Sequence, residues 1–156
     1  MIEIQVPGRD VYRLEHIVLD VNGTIAVDGQ LIEGVAERLV KLRDSIQVHL
    51  LTADTRGRQK AIDAQLGIKA ARILPENEAA QKAAFVADLG SEGVCAVGNG
   101  AIDAGMLHEA RLAIVVLGEE GLAIEALNAA DVVVPHISAA LDLLFDPLRL
   151  MATLRR

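Results

Sequence analysis

Aromatic side chains are nearly absent: one Tyr, two Phe and no Trp among 156 residues. A protein that stacks on nucleic-acid bases needs such platforms. One that follows a phosphate backbone needs net positive charge, and this chain carries −7 at pH 7. Both absences argue against nucleic acid as a partner. The single cysteine, Cys95, allows no intrachain disulfide; its place in Val94-Cys95-Ala96-Val97 marks it as a small buried hydrophobe. No apolar run approaches the roughly 20 residues that a membrane span requires. The opening Met1-Ile2-Glu3-Ile4 lacks the basic and then apolar pattern of a secretion signal. The expectation is a cytoplasmic protein with no membrane insertion.

What the chain has instead is small aliphatic residues, mostly Ala, Val, Ile and Leu, within 52% apolar content. Short β-branched runs at 2–6, 15–20, 48–51, 71–74, 94–97, 113–117 and 131–134 predict strands. Segments of helical period lie between them, at 34–43, 56–66, 76–89, 101–109, 121–129 and 137–144, with Gly67 and Gly90 at helix ends. Strands alternating with helices imply right-handed βαβ units, hence an α/β three-layer, Rossmann-like parallel sheet with helices on both faces. Several strands are apolar without alternation, as burial on both faces requires. Asp28-Gly29, between Ile25-Ala26-Val27 and Gln30-Leu31-Ile32, predicts a small hairpin flap over 24–33. Residues 1–14 read as an added strand or hairpin, and 146–156 as a tail helix restarted at Pro147, all within one domain of 1–156.

Ligands of open parallel sheets bind beyond the carboxyl ends of the strands, so the polar residues there matter most. The run His16-Ile17-Val18-Leu19 ends in Asp20, followed by Val21-Asn22-Gly23-Thr24. A carboxylate at a strand tip can attack phosphorus or hold a metal; alone, it is as readily a turn cap. Val48-His49-Leu50-Leu51 ends in Thr52-Ala53-Asp54-Thr55. The Thr52 hydroxyl there is placed to donate to a phosphate oxygen, whereas Asp54 or Thr55 is also a plausible helix N-cap. Lys82 lies on the 76–89 helix and, taken alone, reads as solvated. Val94 to Val97 runs into Gly98-Asn99-Gly100-Ala101-Ile102-Asp103. That is not a dinucleotide fingerprint, which needs glycine where Asp103 stands and follows a first strand.

In this order, strand-DxxGT, strand-Thr, helical Lys and strand-GxGxxD resemble the haloacid dehalogenase (HAD) superfamily. Leu50 to Arg56, Leu74-Pro75-Glu76 ahead of Lys82, Gly98 to Leu107 and Asn128 to Val134 are similar to the phosphorylation domain of P-type ATPases. The resemblance covers about residues 16–145 and implies a soluble, capless relative of that domain. It implies Asp20 as the nucleophile that forms an aspartyl-phosphate. It assigns Thr52, Ala53, Lys82 and Asn22 to phosphate, and Asp20, the Asn22 carbonyl, Asp103 and Asn99 to Mg²⁺. The implied activity is Mg²⁺-dependent phosphohydrolysis of a phosphorylated small molecule or protein.

Two residues depart from the pattern. Asn22 stands where HAD phosphatases have an acid/base aspartate, and an amide cannot exchange that proton; such a group is worth about 10²–10⁴ in rate. Asn99 stands where a metal-binding aspartate is usual, so the site loses a negative charge. Slow or specialised turnover follows as an expectation. The alternative is a non-catalytic regulatory or interaction domain that keeps a phosphoryl-binding site. A separated ATPase part is less favoured, since this chain has no nucleotide-binding domain between Asp20 and Thr52. Absence of a cap raises the expectation of a homo-oligomer, dimer or tetramer, with the flap or residues 1–14 at the contact. His49 reads as a satisfied strand histidine and His108 as solvent-facing. His136, Arg56 and Arg58 are secondary candidates for substrate contact, and Arg155 and Arg156 read as a solvated tail.

Overall fold

The computed structural model describes residues 1–54 and 57–156. Strands β1 (Ile2–Ile4) and β2 (Tyr12–Leu14) form an antiparallel hairpin that is a sheet of its own. Next comes β3 (His16–Asp20), then the flap of β4 (Ala26–Val27) and β5 (Gln30–Leu31). Asp28 and Gly29, at the flap's turn, both have positive φ, as a two-residue hairpin loop demands. The chain continues through α1 (Val35–Leu42), β6 (Gln47–Thr52), α2 (Gln59–Leu66), β7 (Ala71–Arg72), α3 (Glu78–Leu89) and β8 (Val94–Gly98). It ends with α4 (Ala104–Glu109), β9 (Leu112–Val116), α5 (Ile124–Asn128), β10 (Val132–Val134), α6 (Ile137–Phe145) and α7 (Pro147–Leu154).

Six strands pair in the order β10-β9-β8-β3-β6-β7, all parallel. Successive side chains on a strand point to opposite faces, and here both faces are buried. Ile17, Leu19, Leu50, Cys95, Val97, Leu112 and Ile114 pack on one side, with α1, α2, α6, α7 and the N-terminal hairpin. Val18, Leu51, Val94, Ala96, Ala113 and Val115 pack on the other, with α3, α4 and α5. This explains the unbroken apolar runs in the sequence. It also places the strand order's reversal between β3 and β8, so their carboxyl ends open the crevice where such sheets bind ligands.

Several elements are shorter than the sequence predicts. The 121–129 segment is helical only from Ile124, because Gly121 takes φ +83° and pairs with Gly118, and Ala123 N–H donates to Asn99 O at 2.9 Å. The helix at 76–89 starts at Glu78, because Glu76 and Asn77 have positive φ. The strand at 71–74 stops at Arg72: Leu74 N–H is taken by the Gln81 side chain instead of a neighbouring strand. Residues 101–103 form a 3₁₀ turn before α4, whose tightness follows from the carboxylate of Asp103 reaching back to main-chain N–H groups. The predicted start of α2 at Arg56 lies outside the described residues.

Candidate active site

The cleft lies at the switch point. Strand β3 carries Asp20 to its tip on the face of Val18, the side covered by α3. Helix α3 brings Lys82 in from that side, and the turn after β8 brings Asn99 and Asp103. Lys82 Nζ donates to Asp20 Oδ1 at 2.6 Å and to Asp103 Oδ1 at 2.7 Å. Asp103 Oδ2 accepts the main-chain N–H groups of Asn99 at 3.0 Å and Gly100 at 2.9 Å. The lysine is 1% exposed, Asp103 1% and Asp20 6%, so this is a dry cluster in which solvent screens little. Gly98 makes room for it: a Cβ there would stand 2.7–2.8 Å from the Asp103 side chain.

Electrostatics follow from the count of charges. Among the described residues, two buried carboxylates face one ammonium. Burial first, and then the Asp103 charge, push Asp20 up to about 7, against the opposing pull of Lys82 and Thr24. Burial alone would depress Lys82, but its two carboxylate partners outweigh that and raise it, so the ammonium stays charged.

Thr24 is a member of the site to which sequence reading gave no role. Its hydroxyl lies 3.1 Å from Asp20 Oδ2 and 3.2 Å from Asn99 Oδ1, linking the two loops. The Asn99 amide donates to Gly121 O at 3.2 Å, which latches the loop after β9 onto the cleft. That loop carries a second residue missed from sequence, Glu120, which lines the cleft with Asp20, Asn22, Ala53, Glu78, Lys82, Asn99, Gly100, Ile102 and Asp103. The only local signal for Glu120 was its position in Gly118-Glu119-Glu120-Gly121, just past a strand end.

The structure thus brings Asp20, Asn22, Ala53, Lys82, Asn99 and Asp103 around one cleft of about 180 Å³. Thr52 is buried beside it at the tip of β6 but is not part of its lining. Strand alternation puts it on the face of Leu50 and α1, and its Oγ1 accepts the Asp54 N–H at 3.0 Å. Arg58 reaches the flap instead, donating to Asp28 O at 3.0 Å, while Thr55 and Arg56 lie outside the described residues. His49 pairs with His16 at 3.2 Å and His108 is exposed. His136 caps α6 and lines a second pocket of about 310 Å³ beneath the flap, next to Gly23 and Thr24.

A metal fits the donor set. The residues lining the cleft are rich in oxygen donors: the carboxylates of Asp20, Glu78, Asp103 and Glu120 and the amides of Asn22 and Asn99. Those are the hard donors Mg²⁺ takes, and two buried carboxylates sharing one ammonium favour a further cation. Among the described residues no three His, Cys, Asp or Glu side chains gather as a cage. Mg²⁺ is commonly held by one or two carboxylates with waters and substrate phosphate, so the smaller set suits it.

A parallel α/β sheet with a strand-tip carboxylate clasped by a helical lysine, and only a flap and one helix before the next strand, defines a capless HAD-type architecture. Comparison with known proteins agrees. The chain is similar to a cobalt-bound deoxy-D-mannose-octulosonate 8-phosphate phosphatase from Haemophilus influenzae, with a TM-score of 0.69, 18% identity and coverage of 86% of this chain and 88% of that one. It is similar to the Moraxella catarrhalis 3-deoxy-D-manno-octulosonate 8-phosphate phosphatase, determined with magnesium, phosphate and KDO. There the TM-score is 0.67 and the identity 17%, over 92% of this chain and 95% of that one. In sequence it is 29% identical over 127 residues to a soluble P-type ATPase-like phosphatase of Methanocaldococcus jannaschii. That match takes in 80% of this chain and 46% of the relative. No family model matches. The chain thus shares the fold of haloacid dehalogenase-type phosphatases.

Proposed function

We propose that the chain is a Mg²⁺-dependent phosphohydrolase that works through an aspartyl-phosphate on Asp20. The observation that carries this reading is the Lys82 clasp, which fixes a buried carboxylate, at a switch-point strand tip, beside oxygen donors suited to a cation. Asp20, Asp103, the Asn22 carbonyl and the Asn99 amide oxygen would hold the metal. Mg²⁺ bound there supplies positive charge that lets an anionic nucleophile approach an anionic phosphate.

In the first half-reaction an Asp20 oxygen bonds to phosphorus, and the P–O bond to the organic part breaks, its electron pair leaving on that oxygen. The ammonium of Lys82 is already within hydrogen-bonding reach of Asp20 and offsets charge on the phosphoryl oxygens. Asn22 cannot protonate the leaving oxygen, so good leaving groups are favoured over alkoxides. The pocket beneath the flap is lined by Val27, Ile32, Val116, Pro135 and His136. It adjoins the cleft across Gly23 and Thr24, and would take the organic part of a small phosphate ester. The solved phosphatases of similar fold support a phosphorylated small molecule as substrate class.

A phosphate-release screen over phosphorylated metabolites with Mg²⁺, run beside Asp20→Asn, tests the reading. Release that requires both Mg²⁺ and Asp20 is expected; equal release by Asp20→Asn sinks it. Asn22 favours one second reading, a phosphoryl-binding regulatory domain without turnover. Under that reading beryllofluoride alters conformation or assembly in a chain that releases no phosphate.

A further inference from the structure

Resting on the phosphohydrolase reading, we propose that Glu120 is the general base that activates water for hydrolysis of the Asp20 aspartyl-phosphate, replacing the carboxylate that position 22 lacks. Three observations place it there. Glu120 lines the same cleft as Asp20 and Asn22, although 100 residues separate Glu120 from Asp20 in the chain. Gly23, next to Asn22, has φ +81°, and a Cβ on it would collide with Glu120 Oε2. The missing side chain of Gly23 is therefore the space that Glu120 occupies. Finally, the loop is held down by Asn99: its Nδ2 donates to Gly121 O at 3.2 Å and its main-chain oxygen accepts Ala123 N–H at 2.9 Å.

The Asn99 latch connects the two departures from the family pattern. An aspartate at 99 could not donate to Gly121 O, because an ionised carboxylate only accepts. The amide that costs the metal site a charge thus anchors a loop that returns a carboxylate to the cleft. The chemistry balances. A water oxygen bonds to phosphorus while one water proton passes to the Glu120 carboxylate. The P–O bond to Asp20 breaks and its electron pair returns to the Asp20 carboxylate. Inorganic phosphate leaves, and Glu120, exposed at the rim, returns its proton to solvent.

The test is pre-steady-state turnover of p-nitrophenyl phosphate with Mg²⁺, since that leaving group needs no acid. Glu120→Gln should keep the rate of the first p-nitrophenol burst, about one per chain, and lower the steady state about 10²-fold or more. A hydroxylamine-labile phosphoryl group should accumulate on Asp20. Asn22→Asp in the Glu120→Gln background should restore turnover. Unchanged steady-state turnover in Glu120→Gln overturns the proposal, as does equal slowing of burst and steady state, which is the mark of a structural role. Absence of any Asp20-dependent release by the wild-type chain overturns the phosphohydrolase reading and this inference with it.

Discussion

Lys82 Nζ stands 2.6 Å from Oδ1 of Asp20, 62 positions away in the chain, and both side chains are buried. The same ammonium lies 2.7 Å from Asp103. One cation thus neutralises part of a doubly acidic pocket that folding has taken out of water. The first expectations follow from that arrangement.

Lys82→Met removes the counter-charge that two buried carboxylates share. Breaking one side of a buried ion pair costs about 3–5 kcal/mol. The metal-free variant should therefore unfold at markedly lower urea concentration, with part of the loss recovered when Mg²⁺ is added. A urea midpoint equal to wild type without metal would show that the clasp contributes nothing.

Mg²⁺ should stabilise the wild-type chain against heat by mass action, by about 2.7 kcal/mol at a concentration 100 times its dissociation constant. Asp103→Asn should weaken that gain, because it removes a carboxylate from an already depleted donor set. Thermal melts across a Mg²⁺ titration decide this; curves that coincide at all concentrations exclude binding at the cleft.

Gly98→Ala places a methyl group 2.7–2.8 Å from the Asp103 side chain, inside a cluster that cannot shift without losing its lysine. Overpacking of this kind costs about 1–3 kcal/mol. Denaturant unfolding should show the loss, and Gly93→Ala, where a Cβ would find its nearest atom at 3.8 Å, should not suffer the same clash.

His49 supplies a pH expectation away from the cleft. Burial, and then the neighbouring His16, hold its pKa below the ordinary histidine value. The unfolded chain therefore binds more protons than the folded one as pH falls below about 6.5. The stability contributed by the uncharged ring is complete above that pH and is lost as pH falls through the folded-state value. Melting temperature should decline between pH 7 and pH 5, less steeply in His49→Leu. Parallel slopes in the two proteins would assign the decline to other groups.

Much of this molecule was written into local patterns. Apolar runs such as Leu112 to Val116 announce strands buried on both faces, since only a central parallel sheet hides every residue of such a run. Asp28-Gly29 announces the flap, because few other pairs accept positive φ at two successive residues. Asp20, Lys82 and Asp103 were picked out by their order and their places at strand tips or on a helix. Tertiary structure alone decided what they touch. Helical period could not show that Lys82 faces inward between two carboxylates, because a lysine on a helix is ordinarily solvated. Nor could it start the helix at Ile124 instead of Gly121, where a bond from Ala123 N–H to Asn99 O wins over helical pairing. Glu120 and Thr24 join the site for the same reason. Their roles rest on distances between segments far apart in the chain, which sequence spacing does not encode and only the packed sheet and its loops set.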